Sequence, residues 1–176
     1  MRMTRTNAAI NHQRGAALVV GLIFLAMLSL MGAAAYMVAN QEERMAGNTR
    51  DRIRAFEAAE ASLRDCESLL GGFGTLPTFN GTNGMHAAPT FGDPQVYETI
   101  DWLKGSVRVI PTSLPDVAIQ PRCIIERVGE IEVRRLSDAR SGPLEVTIET
   151  IYRITSMGYG TNPSTTVNLQ TMFRRQ

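Results

Sequence analysis

Residues 14–39 read RGAALVVGLIFLAMLSLMGAAAYMVA: after Arg14 and Gly15, the 24 positions from Ala16 to Ala39 carry no charge. About 20 apolar residues in a helix cross the hydrocarbon core of a bilayer, so this run is long enough to span one. Ahead of it lie Arg2, Arg5 and Arg14 and no acidic side chain. A basic flank of this kind stays on the cytoplasmic side, which sends everything after Ala39 across the membrane. A soluble cytoplasmic enzyme does not fit that pattern.

The rest of the composition narrows the choice. A chain of 176 residues has room for one membrane helix and one modest globular domain. The formal charge is +1; removing the three arginines of residues 1–15 leaves −2, so no basic field is available for nucleic acid. Both cysteines, Cys66 and Cys123, follow the apolar run. In an oxidising compartment a disulfide between them is the natural reading, with two buried free thiols as the alternative. Closing that loop of 57 residues stabilises a domain by about 4 kcal/mol in the chain-entropy account.

Three processing outcomes compete for the N-terminal segment. It can be an uncleaved anchor. It can be a secretory signal cut after Ala33-Ala34-Ala35, which satisfies the small-x-small rule and releases a periplasmic binding or enzyme domain. It can be cut after Gly15, leaving the apolar run as the mature N-terminus. Against the second stands the continuation of the helix beyond Tyr36. Met45, Thr49, Ile53, Phe56, Ala59, Leu63, Cys66 and Leu70 recur at helical spacing, with charged residues such as Glu42, Arg50, Asp51, Arg54, Glu57, Glu60 and Arg64 between them. Arg50 and Arg54 are like charges four apart, offset by Asp51, Glu57 and Glu60. No proline interrupts residues 16–70, and Gly71-Gly72 is the first breaker. The pattern predicts one helix, apolar all round over 16–39 and amphipathic over 40–70, whose stripe packs on a sheet.

From Gly71 to Pro94 the chain is rich in Gly, Pro, Thr and Asn and reads as a loop, with Phe73, Phe79 and Phe91 as anchors. The variable region extends to residue 106. Strand patterns occupy 107–176: Val107–Ile110, then Cys123–Val128 and Glu130–Arg135 as one strand or two around Gly129. In Glu145–Thr155, alternation puts Val146, Ile148, Tyr152 and Ile154 on one face and Glu145, Thr147, Glu149 and Arg153 on the other. In Thr165–Phe173, Val167, Leu169 and Phe173 oppose Asn168, Gln170 and Arg174. Turn-rich segments at 137–143 and 158–163 favour an antiparallel meander. The expected class is α+β, a long N-terminal helix on a C-terminal antiparallel sheet.

Catalytic material is sparse. His12 and His86 are the two histidines, which leaves no residues for a histidine metal site or a catalytic triad. Glu57 and Glu60 suit a solvated helix face, and Gly71-Gly72-Phe73-Gly74 lacks the strand and helix of a phosphate loop. Asn80-Gly81-Thr82 is a bare glycosylation triplet. The residues point to a structural or interaction protein, with no catalytic site, metal or cofactor.

The leader, apolar helix and amphipathic continuation resemble type IV pilin-like proteins. QRGAALVVGLIFL at 13–25, NQEERMAGNTRDRIRAFEAAEASLRDCE at 40–67, PRCIIE at 121–126 and YRITSMGYGTNPSTTVNLQ at 152–170 resemble the PilX minor pilins of type IVa pili. The likeness covers Gln13 to about Leu70 and parts of the last 55 residues, and leaves Gly71–Asp116 unmatched. It implies cleavage after Gly15 by a prepilin peptidase and N-methylation of Ala16. It also implies a single pass through the inner membrane with a periplasmic head, contact with bilayer lipid, an assembly platform and other pilins, major and minor, and later residence in an extracellular pilus. The expected role is to initiate assembly, with adhesion or aggregation as further functions. Two positions depart from the major-pilin pattern: Ala16 replaces phenylalanine, and Val20 replaces the glutamate that would pair with a neighbour's terminal amine. A pseudopilin of a type II secretion system shares these features and is the nearest alternative. Met1 and Met3 are both candidate starts.

Overall fold

The computed structural model describes residues 14–72, 74–90, 92–136 and 144–175. Most of the expected leader, together with His12, Phe73, Phe91 and the 137–143 turn, falls outside them. The chain divides into two compact units, residues 1–47 and 48–176.

The element order is α1 (Arg14–Gly71), β1 (Met85–His86), α2 (Val96–Thr99), β2 (Arg108–Val109), β3 (Arg122–Leu136), β4 (Leu144–Tyr159) and β5 (Thr166–Arg175). Helix α1 runs 58 residues without a break and stops at Gly71, where the Gly72 N–H returns to the Ser68 carbonyl at 3.1 Å. In the first unit the side chains of residues 15–39 and 41–47 are solvent-exposed, and Asn40 is intermediate. The helix is long and apolar enough to cross a membrane, its best 18-residue window having a mean hydropathy of 2.5.

In the second unit the amphipathic part of α1 lies on a five-stranded sheet ordered β1-β3-β4-β5, with β2 also on β3. The expected α+β class is observed. The β3–β4–β5 meander is antiparallel, while the two-residue β1 joins β3 in parallel, making the sheet mixed. Glu130 and its neighbours continue the strand begun at Arg122: β3 is one strand with a bulge at Arg127/Gly129. The Val107–Ile110 pattern contributes only Arg108–Val109 to the sheet, because Pro111 ends the run. Phe79 does anchor the glycine-rich loop, stacked on Tyr152 with ring centroids 5.4 Å apart.

Two expectations about facing are corrected. On α1 the buried residues are Ala55, Ala58, Ala59, Ser62, Cys66 and Leu70, whereas Ile53 and Phe56 remain 51% and 46% exposed. Met45 is exposed as well. The cause lies in β4. A Cβ at Gly158 would overlap Ala55 O and the backbone of Ala59, so helix and strand meet backbone to backbone. Only small side chains fit at that approach, so Ile53 and Phe56 are turned away, while Ala59, Cys66 and Leu70 of the expected stripe are buried.

The second correction concerns β4. Tyr152 and Ile154 are buried, but Val146 and Ile148, on the same alternation, are 53% and 61% exposed. β5 pairs only with residues 150–159 of β4, so residues 144–149 pair with β3 alone as a two-stranded arm. Val146 and Ile148 of that arm are left uncovered. Glu149, expected on the wet face, is buried and pairs with Arg174 at 2.7 Å.

Candidate functional site

The residues that the sequence reading marks for leader cleavage, N-methylation and the absent glutamate lie at the start of α1. Gly15 and Ala16 are in its first turn, and Val20 follows one turn after Ala16, half exposed with no acidic residue in the first turn. A Cβ at Gly15, Gly21 or Gly32 would meet nothing within 4 Å, so these glycines leave open notches along the rod. Polar side chains in the apolar run satisfy themselves locally. Ser29 Oγ donates to the Leu25 carbonyl at 2.9 Å, and Asn40 Nδ2 to the Tyr36 carbonyl at 3.1 Å. Back-bonding of this kind lowers the cost of placing such groups in hydrocarbon. A surface of leucine, valine, phenylalanine and methionine is stable only in lipid or against other apolar helices.

Beyond the close packing at Gly158, covalent and polar contacts hold the head on the second half of α1. Cys66 and Cys123 are both fully buried and joined by a disulfide, Sγ–Sγ 2.04 Å, tying α1 to β3. Asp65 pairs with Arg108 of β2 at 2.8 Å. Asp51 accepts from the Thr161 N–H at 2.6 Å and the Asn162 N–H at 3.4 Å, pinning the β4–β5 turn to the helix. Its carboxyl is held below the usual 3.8, first by the Thr165 hydroxyl and, against some desolvation, by those backbone donors.

The far face of the sheet carries a buried charge cluster. Glu126, wholly buried, pairs with Arg153 at 3.2 Å and accepts from the Val96 N–H at 3.0 Å. Arg153 also donates to Gln95 and sits 5.3 Å from the Tyr97 ring centre. Arg122 donates to the Trp102 carbonyl. Together these bonds bind the 95–102 segment to the sheet. They are structural contacts, held partly by charge alone, since Glu126 Oε2 and Arg153 Nε form an ion pair without a hydrogen bond, and the sequence signalled them only as charged residues inside apolar strands.

His86 is buried, its Nε2 donating to the Ser106 carbonyl at 2.8 Å. Glu60 pairs with Arg64 one turn on. Glu57 lines an open groove of about 310 Å³ with Arg54, Ala58, Leu114 and Asp116. Among the described residues, no three His, Cys, Asp or Glu side chains gather as a metal site requires. The arrangement can tether, pack and present surfaces.

Comparison with protein families matches residues 14–64 to the PilX N-terminal family. Residues 67–175 match the type IV pilus assembly protein PilX C-term family. The second match runs through residues 71–116, which the sequence resemblance does not reach. No curated protein and no solved structure matches the chain. With both halves of the chain matched, and an apolar helix joined to a sheet head, the chain belongs to the PilX family of type IV pilus minor pilins.

Proposed function

We propose that this minor pilin is anchored in the inner membrane by residues 16–39 and primes assembly of the pilus from a tip complex of minor pilins, with its head outside the membrane. A prepilin peptidase removes residues 1–15 by cutting after Gly15 and methylates Ala16. Residues 40–70 then carry the head, whose regions 71–106 and 107–176 face other subunits and external surfaces. The observation that carries this reading is the unbroken, fully exposed apolar helix continuous with the folded head.

The mechanism follows from that surface. In the membrane the helix is solvated by lipid. On extraction by the assembly platform it exchanges lipid contacts for packing against other pilin helices, major and minor. A glutamate at the fifth mature position would pair with a neighbour's terminal amine, and an unpaired ion in hydrocarbon is costly. Val20 offers no such pair on that side and incurs no such cost, which suits a subunit at the end of the fibre.

Mass spectrometry of the N-terminus from membranes tests the anchor. The expected start is N-methylated Ala16, lost in a prepilin-peptidase mutant; a start at Tyr36 would overturn it. Installing Val20→Glu tests position. Impaired priming is expected, whereas normal piliation with the subunit spread along the fibre would count against the tip. A deletion that abolishes pili but leaves secreted enzymes unaffected separates this role from that of a secretion pseudopilin.

A further inference from the structure

We propose that the arm formed by β3 and β4 is a pairing surface for a second copy of this chain. Residues 130–136 of the two β3 strands join antiparallel about a two-fold axis at Val133, with Glu132 of each copy opposite Arg134 of the other. The inference goes beyond the minor-pilin reading and does not depend on it.

Residues 144–149 of β4 pair with β3 alone, so the arm has two strands. A two-stranded ribbon is marginal by itself, and further strands are what make a sheet stable. The β3 edge of the arm is open to one. β1 pairs with Ile125 and Glu126 and β2 with Arg122 and Cys123, and among the described residues the strand beyond Arg127 pairs only with β4. Glu130, Ile131, Glu132 and Arg134 are exposed there, and Val133 is half-buried. The helix lies elsewhere: Ala55 and Ala59 meet Gly158, and Gly71 ends by Phe173, which pairs with Tyr152. Residues 144–149 therefore continue past the C-terminal end of α1.

Hydrogen-bond direction limits how two such edges can meet. The Ile125 N–H donates to the Gly84 carbonyl at 2.7 Å, so odd residues of β3 turn their backbone groups outward ahead of the bulge. The bulge between Arg127 and Gly129 adds one residue, and beyond it the even residues Glu130, Glu132 and Arg134 turn outward. In a two-fold antiparallel ladder, outward residues must face outward residues. Centred on Ile131, the ladder would set Glu130 against Glu132 twice. Centred on Glu132 or on Arg134, it would set that residue against its own copy. Like charges directly opposite are destabilising. Centred on Val133, it sets Glu132 against Arg134 twice and Val133 against Val133. Of these four registers, only the last brings opposite charges together.

Charged residues of one sign defend a sheet edge because they repel a second copy. Glu132 and Arg134 have opposite signs, stand 3.7 Å apart within the chain, and are 65% and 67% exposed. Two such pairs brought together make a ring of four alternating charges. On the same face Ile148 stands opposite Glu132 and Val146 opposite Arg134, so aliphatic side chains flank each new ion pair. Along β5 the outward residues Asn168, Gln170 and Met172 carry no charge and select no mate. A two-fold axis through the sheet also runs residues 48–71 of the two helices in opposite directions, so the paired heads face each other.

Single cysteines in the full-length chain in mild detergent test this under gentle oxidation. Only Val133 faces its own copy at the close spacing of an opposed pair, so Val133→Cys is expected to give a disulfide-linked dimer about tenfold or more faster than Ile131→Cys, Glu132→Cys or Arg134→Cys. Each of those three reports one of the disfavoured registers. Adding Glu132→Arg to Val133→Cys should slow linkage by about tenfold or more, and the exchange Glu132→Arg/Arg134→Glu should restore it. Unchanged urea midpoints show that each variant is folded. Equal linkage at all four positions, fastest linkage at 131, 132 or 134, or linkage indifferent to Glu132→Arg overturns the inference. So does a folded Val133→Cys chain that stays monomeric at every concentration. None of these outcomes bears on anchoring or processing, so the minor-pilin reading stands or falls separately.

Discussion

Gly158→Ala puts one methyl group where helix and sheet touch through their backbones. The new Cβ would overlap the Ala55 carbonyl and the Ala59 backbone, which no side-chain rotamer can relieve. The helix must therefore back away from β4 by about 1 Å. A gap of 0.5–1 Å already forfeits a quarter to a half of each dispersion contact, and here it opens along Ala55, Ala58, Ala59 and Ser62. The Cys66–Cys123 disulfide holds the other end of the contact, so the helix pivots and cannot simply slide. Overpacking costs about 1–3 kcal/mol when side chains can adjust; with backbone on both sides the expected loss is about 3 kcal/mol. The assay is urea unfolding of the full-length chain in mild detergent, followed by fluorescence of the sole tryptophan, Trp102. At a slope of about 2 kcal/mol per molar urea the midpoint falls by about 1.5 M. Gly129→Ala is the control, since a Cβ there meets nothing within 4 Å, and its effect should stay within about 0.5 kcal/mol. Equal midpoints for Gly158→Ala and wild type would refute the backbone-contact reasoning.

Three further outcomes follow from the head. Cys66→Ala/Cys123→Ala should lower unfolding free energy by about 4 kcal/mol in the same assay, because the bridge closes a separation of 57 residues. Arg153→Met strands the fully buried Glu126 carboxylate without its cation, and urea titration should show a loss of about 3–5 kcal/mol. Asp51 has a lowered folded pKa, so its contribution is complete above the unfolded value of 3.8 and is lost as pH falls through the lower folded value. Asp51→Asn should accordingly flatten the acid limb of stability below about pH 4 in a pH series of thermal melts, with no new dependence near neutrality.

The long helix, its stop at Gly71 and the antiparallel strand order were legible because each is a one-dimensional pattern. Charge-free length, helical spacing and alternation are written along the chain. Which side of the helix faces the sheet was not legible. Hydrophobic spacing favours Ile53 and Phe56 as the buried face, since periodicity ranks residues by apolarity. The contact is decided by how closely two backbones approach, and Gly158, about a hundred residues away in sequence, selects alanine and serine instead. The same holds for Val146 and Ile148. Their alternation is identical to that of Tyr152 and Ile154, but burial depends on whether β5 and α1 reach that far along β4.

At the candidate site the division is similar. Gly15, Ala16 and Val20 are readable as neighbours because a helix places them by local geometry alone. The pinning of the β4–β5 turn by Asp51 and the Glu126–Arg153 pair join residues 27 to 111 apart in sequence. Pattern alone establishes a membrane-length apolar helix carrying an α+β head, because hydropathy and periodicity are properties of consecutive residues. Which apolar surfaces the head hides and which it leaves for a partner is set by packing, because burial is a property of what happens to lie opposite.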